Sequence, residues 1–246
     1  MPIAVLVILL LQAGCCVHVV RTRRELYWLF IIMMFPLLGC GVYFAAVILP
    51  ELRDSRTAHD ALGKVQRAID PDRDLRRRSE ELDTADTVEN RKALAEEHMR
   101  RGDLADAIRL YRSALTGIHR DDPAILMGLA RAQFGSGDAA GCIGTLERLT
   151  AANPRFQSAD GHLLYARALE AQDRVIDALN AYHAVAAYFP GGEAKCRYAL
   201  LLKRQGHHAE ARTLFQDVVH GFEKAKRFQH AGEREWYEVA RENLPA

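Results

Sequence analysis

The sequence predicts an all-α chain in two parts: an N-terminal transmembrane helical hairpin, then an α-solenoid of stacked helix pairs. Three observations carry this. Two uncharged or nearly uncharged apolar runs fill the first 50 residues, the chain then turns abruptly polar, and from about residue 88 a pattern of small residues recurs at a near-constant interval. The expected organisation is therefore an anchor at 1–50, a charged helical linker at 51–87, about four repeats at 88–228 and a capping helix at 229–246. Averages over the 246 residues hide this division, since Lys+Arg 33 stand against Asp+Glu 32. That balance argues against a chain built to hold nucleic acid, which normally shows a basic excess.

From Ile3 to Val20 the chain is apolar apart from Gln12 and His18, and from Leu26 to Leu49 it carries no charge. Runs of about 18 residues or more suit a bilayer core roughly 30 Å thick. Residues 3–20 and 26–49 are thus expected to contact the lipid bilayer as two spanning helices, joined tightly through Arg21-Thr-Arg-Arg-Glu25. Pro36 is expected to be tolerated inside the second helix, because a partner helix or local rearrangement can satisfy the backbone group it frees. Tyr27, Trp28 and Tyr43 stand near the run ends, where interfacial aromatics gather. A cleaved signal peptide would need a basic leader, yet no Lys or Arg precedes Arg21. Leu11-Gln-Ala-Gly-Cys15 looks somewhat like a lipoprotein box but departs from it at Gln12.

Arg21-x-Arg-Arg followed by Trp28, Pro36, Gly39 and Tyr43 resembles the two-helix module ahead of cardiolipin synthases and other phospholipase-D-type nucleases. The resemblance implies an anchor and no activity. The H-x-K-x-x-x-x-D motifs of that catalytic family are missing, since no histidine here has a lysine two places on. The flanking charges conflict over orientation. Arg21, Arg23 and Arg24 draw the short loop inwards, whereas Arg53, Arg56, Lys64 and Arg67 draw the following domain inwards, and a two-span hairpin sets these on opposite faces. The expected location is the bacterial inner (plasma) membrane, multi-pass. Unpaired Cys142 and Cys196 suit a reducing compartment and favour a cytoplasmic repeat domain.

In the linker, Pro71 should end any helix leaving the membrane. Beyond it Arg76 faces Glu80 and Arg77 faces Glu81 at i,i+4 spacing, which supports a solvated helix.

The repeats follow from four pairs of small residues, Ala95/Ala107, Ala130/Cys142, Ala166/Ala178 and Ala199/Ala211, each pair 12 apart. Four places after the second member comes a large residue: Tyr111, Leu146, Tyr182 and Phe215. Small residues facing each other let two antiparallel helices approach, and the large one packs against the next unit. Gly102-Asp103, Gly137-Asp138, Asp173-Arg174 and Gly206-His207 supply the turns, with Pro123, Pro154 and Pro190 between units. This recurrence resembles the tetratricopeptide repeat family over about 88–226, which implies a right-handed α-solenoid that binds protein or peptide partners along its first helices.

That resemblance places Lys92, Glu96, Met127, Arg131, Phe134, Leu163, Arg167, Glu170 and Lys203 in the binding groove. Arg131 and Arg167 hold equivalent places, a short basic ladder suited to carboxylates, although either could instead pair with a neighbouring acid. Met127 and Phe134 share a helix face and suit either a ligand patch or the core. His207, His208 and Cys196 lack metal-ligand spacing, and all five cysteines read as reduced and structural. No phosphate loop, nucleophile elbow or acid/base constellation is present. The expectation is a scaffold or adaptor rather than an enzyme, with no cofactor and no metal. A regulatory or lipid-sensing subunit acting through the hairpin is the alternative.

Overall fold

In the computed structural model, residues 2–21, 25, 27–48, 70, 72–224 and 231–244 are described. The connection at 22–24, the linker from 49 to 69, Pro71 and residues 225–230 lie outside the described residues. The chain forms two compact units, 1–73 and 74–246, and every described element is a helix or a turn.

In the first unit, α1 (Pro2–Arg21) is followed by α2 (Tyr27–Met34), α3 (Pro36–Tyr43) and a π-helical turn (Phe44–Ile48). The second apolar run is therefore two helices, which corrects the expectation of one continuous span. Proline cannot donate the hydrogen bond that would continue α2, so it opens α3 instead, with Phe35 at φ −129° and ψ 81° as the corner. Past this corner the chain folds back sharply. A Cβ at Gly39 would lie 2.4 Å from the carbonyl oxygen of Ile31 and 2.9 Å from Cα of Ile32, so only glycine fits where α3 crosses α2. At the other end, the rings of Trp28 and Tyr43 meet edge to face, 5.2 Å between centroids. α1 lies against both helices: the Gln12 amide donates to the Ile32 carbonyl at 2.9 Å, and His18 Nδ1 stands 2.9 Å from the Tyr43 hydroxyl. Cys15, Val19, Ile32, Cys40, Tyr43 and Val47 form the small core. α2, 8 residues, is about 12 Å long, and α3 with the π-helical turn that continues it to Ile48 is under about 20 Å, both short of a bilayer core of roughly 30 Å. Among the described residues no helix is long and apolar enough to cross a membrane.

The second unit opens with α4 (Arg73–Thr84), then α5 (Val88–Arg101) and α6 (Leu104–Ala114), α7 (Pro123–Gly135) and α8 (Ala139–Ala152), α9 (Ala159–Ala171) and α10 (Val175–Ala186), α11 (Glu193–Arg204) and α12 (His208–Lys224), and α13 (Ala231–Glu242). α4 is not only a solvated helix. Arg77 pairs with Glu81 at 3.9 Å on its outer side, while Leu75 and Leu82 pack on the core of the first repeat.

Each helix pair closes through one left-handed residue, as the turn chemistry predicts: Gly102 (φ 84°), Gly137 (φ 87°), Asp173 (φ 55°) and Gly206 (φ 85°). Three of the four first helices begin on side-chain caps, α11 starting instead at Gly192. Thr87 accepts from Asn90 N–H, Asp122 from Ala124 and Ile125, and Ser158 from Gly161. The paired small residues are all buried, none more than 2% exposed. Tyr111 reaches across to the next repeat, where Gly128 leaves it space. The apolar core continues through three adjoining clusters to α13, where Ala240 and Trp236 pack on the fourth repeat. Cys196 Sγ contacts the Trp236 carbonyl and Lys203 Nζ the Asn243 side chain, both partners 40 residues on. This equal offset means α13 runs parallel to α11, in the place that a further first helix would take.

Candidate functional site

First helices of successive repeats lie side by side, and two clefts open along them. One, about 360 Å³, lies between α7, α9 and the start of α11, with Arg131, Phe134, Asp160, Leu163, Arg167 and Glu193 among its walls. A second, about 530 Å³, lies between α9, α11 and the end of α13, lined by Glu170, Arg197, Leu200, Lys203, Arg204, His208 and Asn243.

Six of the nine residues expected in the groove line these clefts: Arg131, Phe134, Leu163 and Arg167 the first, Glu170 and Lys203 the second. Lys92 and Glu96, on the first repeat, line neither, and Lys92 pairs with Glu89 at 3.6 Å. Met127 belongs to the core. It is 6% exposed, and its sulfur lies against Gly161 of the next repeat.

The ladder arginines are not free. Arg131 reaches Asp160 at 3.3 Å and Arg167 reaches Glu193 at 4.0 Å, each acid lying in the first turn of the next first helix. Arg167 also lies over the Phe134 ring, 4.8 Å from its centroid. The first cleft thus holds two cations against two carboxylates. Arg197, Lys203 and Arg204 line the second cleft with Glu170 as the one acid of its lining, and Arg197 is already paired with Glu193 at 2.8 Å. Glu170 is itself committed: one oxygen accepts from the Tyr182 hydroxyl at 2.6 Å and the other from Arg204. Among the described residues Lys203 has the neutral Asn243 amide, at 2.8 Å. Lys203 is thus, among the described residues, the cation of this cleft without an acid beside it, one repeat further along than the arginine ladder.

Residues 98–168 match the family model described as tetratricopeptide repeat. The match falls on helix pairs, turns and buried small residues already located. The stretch from the end of α5 to α9 is similar to tetratricopeptide repeats. Solved structures with a similar fold include a MamA protein (TM-score 0.56, 21% identity, 68% of this chain and 91% of that one). The MamA RS-1 ArsTM double mutant (0.58, 14%, 70% and 95%) and TTC0263, a thermophilic TPR protein of Thermus thermophilus (0.52, 19%, 75% and 94%), are also similar. At these identities the likeness concerns the fold alone. No curated protein sequence matches the chain. The family match stops short of the first unit, and nothing in the comparisons supports the phospholipase-D-type module there.

A tetratricopeptide fold is in general a non-catalytic scaffold. Burial pushes the Cys142 thiol up to about 11 and the Cys196 thiol up to about 12, so neither is poised as a nucleophile. Burial first, and then the Glu170 hydrogen bond, push the Tyr182 phenol far above its usual range. Among the described residues no group of three His, Cys, Asp or Glu side chains could hold a metal ion.

The sequence reading missed Asp160, Glu193, Arg197, Arg204 and Asn243. A signal for the first two existed, an acid in the opening turn of a first helix one repeat after each ladder arginine. One further polar group escaped it: Glu97 is only 3% exposed and pairs with Arg100 one turn along α5.

Proposed function

We propose that the protein is a membrane-anchored tetratricopeptide scaffold that binds protein partners, as an adaptor in envelope assembly or quality control, with its repeat domain in the cytoplasm of a bacterial cell. The observation that carries partner binding is the pair of clefts along the first helices, the second with Lys203 set against a neutral amide rather than a carboxylate. An exposed ion pair contributes little to folding, so Arg131 at 51% exposure can leave Asp160 for a ligand carboxylate at small cost. Phe134, Leu163 and Phe189 supply apolar contact beside these charges. Confinement at a membrane would raise the effective concentration of the groove for other membrane proteins.

The test is crosslinking and affinity capture of the full-length protein from membranes, with K203E/R204E and R131E/R167E compared against wild type. Partners lost in K203E/R204E support the groove. A partner list unchanged in both variants refutes it and favours the second reading, in which the first unit is a regulatory or lipid-sensing element. What supports that second reading is the apolar surface of the first unit, where Phe30, Met33 and Leu38 are each at least 70% exposed. Exchanging residues 1–50 for an unrelated anchor would abolish function only under the second reading.

A further inference from the structure

The first unit has a shape that a spanning hairpin does not. α2 leaves the level of Trp28, turns at Phe35 and Pro36, and α3 brings the chain back to Trp28 through Tyr43. The end bearing the corner is apolar and open: Met33, Met34, Phe35 and Leu38 are 54–74% exposed. At the opposite end lie the exposed ring of Tyr27, the Trp28–Tyr43 pair, Arg21 at the close of α1, and Glu25.

We propose that α2 and α3 form a re-entrant wedge that enters one leaflet of a lipid bilayer and leaves by the same face. The stretch around Arg21–Glu25 and the chain after Pro50 then lie on one side of the membrane. This rests on the membrane part of the proposed function and replaces its two-span geometry. The occupant of the open apolar end is the acyl-chain layer of a single leaflet.

Length is the first argument. α2, and α3 up to Tyr43, each reach about 12 Å over 8 residues, close to half of a hydrocarbon core roughly 30 Å thick, and the π-helical turn Phe44–Ile48 carries the chain on past the level of Trp28. Backbone satisfaction is the second, because a turn buried in lipid must leave few free polar groups. Phe35 N–H donates to Ile31 at 3.1 Å, Gly39 N–H donates to Phe35 at 2.6 Å, and Pro36 has no N–H to satisfy. Aromatic placement is the third, with Tyr27, Trp28 and Tyr43 at the level where headgroups would lie.

Charge supplies the fourth and resolves the conflict over orientation. Two spans set Arg21, Arg23 and Arg24 on the face opposite Arg53, Arg56, Lys64 and Arg67. A re-entrant path puts all seven on one face, where the preference of basic flanks for the cytoplasmic side acts in concert.

The test uses the full-length protein in bacterial inner membranes, prepared as inside-out and as right-side-out vesicles. A single protease-recognition sequence is inserted after Glu25 or after Ala58. The expected result is cleavage of both in inside-out vesicles and protection of both in the other preparation. Cleavage from opposite faces overturns the wedge but leaves a membrane tether in place. Extraction of the whole chain by alkaline carbonate overturns both, and points to a protein partner or a second copy on the apolar end.

A second measurement needs no insertion. With Cys15, Cys16 and Cys40 changed to serine, W28C/Y43C in intact membranes is expected to crosslink within one chain through a short bismaleimide. The two positions would stand about 22 Å apart along a straight helix, so absence of the crosslink overturns the fold-back.

Discussion

Two glycines of the second repeat should respond in opposite directions to the same substitution. Gly128 lies in α7 and Gly144 in α8, so Ala replaces Gly within a helix in both cases. The gain in helix propensity is about 1 kcal/mol each. Nothing lies within 4 Å of a Cβ at Gly144, so Gly144→Ala should keep that gain. At Gly128 the new carbon would stand 2.5 Å from Cζ, 2.6 Å from Cε1 and 2.8 Å from the hydroxyl of Tyr111. Carbon atoms prefer about 3.5–4.0 Å, and Tyr111, 3% exposed, is packed among the core residues of the first repeat. Overpacking of this kind costs roughly 1–3 kcal/mol. An overlap near 1 Å against an enclosed ring belongs in the upper half of that range, so Gly128→Ala should lose about 1–2 kcal/mol net. The two variants are thus expected to differ by about 2–3 kcal/mol, or by roughly 5–10 °C in Tm for a domain of this size. Circular-dichroism melts of the full-length protein measure it. If Gly128→Ala melts at or above Gly144→Ala, Tyr111 does not lodge against α7 and the inter-repeat packing is wrong.

Core and groove separate in a second comparison. Met127→Ala should cost about 2–4 kcal/mol as a large-to-small core change, while Arg131→Ala should stay within about 0.5 kcal/mol; equal urea midpoints would contradict the assignment of Met127 to the core. Tyr182→Phe removes a bond to a carboxylate and should cost about 1.5–3 kcal/mol; a loss below about 0.5 kcal/mol in the same titration would mean that Glu170 is not held by Tyr182. The buried thiols set an alkaline limit. Their values of about 11 and about 12 are raised above an ordinary 9.0, so the stability they contribute is full below pH 9 and is lost as pH rises through 11 to 12. Cys142→Ala/Cys196→Ala should therefore flatten the decline in Tm between pH 9 and 11, and an unchanged slope would assign that decline to other groups.

The repeat architecture was legible because its physics is local. Small residues 12 apart, a large residue one turn later and a left-handed turn between them all fall within one helix pair, and each stands where the spacing puts it. The path of the N-terminal run was not legible. Hydropathy records how apolar a stretch is and says nothing of whether it continues straight, and the corner depends on Gly39 meeting Ile31, eight residues back across a turn. Proline alone did not announce it, since membrane helices tolerate proline when neighbours satisfy the freed group.

Groove chemistry was half legible for a related reason. A ladder of arginines can be read from one position in each repeat, whereas their neutralisation depends on acids 29 and 26 residues on that come alongside only when the repeats stack. Repetition therefore specifies the surface and its breaks specify the chemistry. Position 200, where the ladder would continue, is leucine, and the cations of the fourth repeat stand at Arg197, Lys203 and Arg204 instead. Glu193 takes Arg197 at 2.8 Å, and Glu170 is divided between Tyr182 and Arg204, which leaves Lys203. The place where the repeat pattern fails is thus the place where charge is left for a partner, and α13 keeps it accessible by bringing Asn243, a neutral side chain, to Lys203.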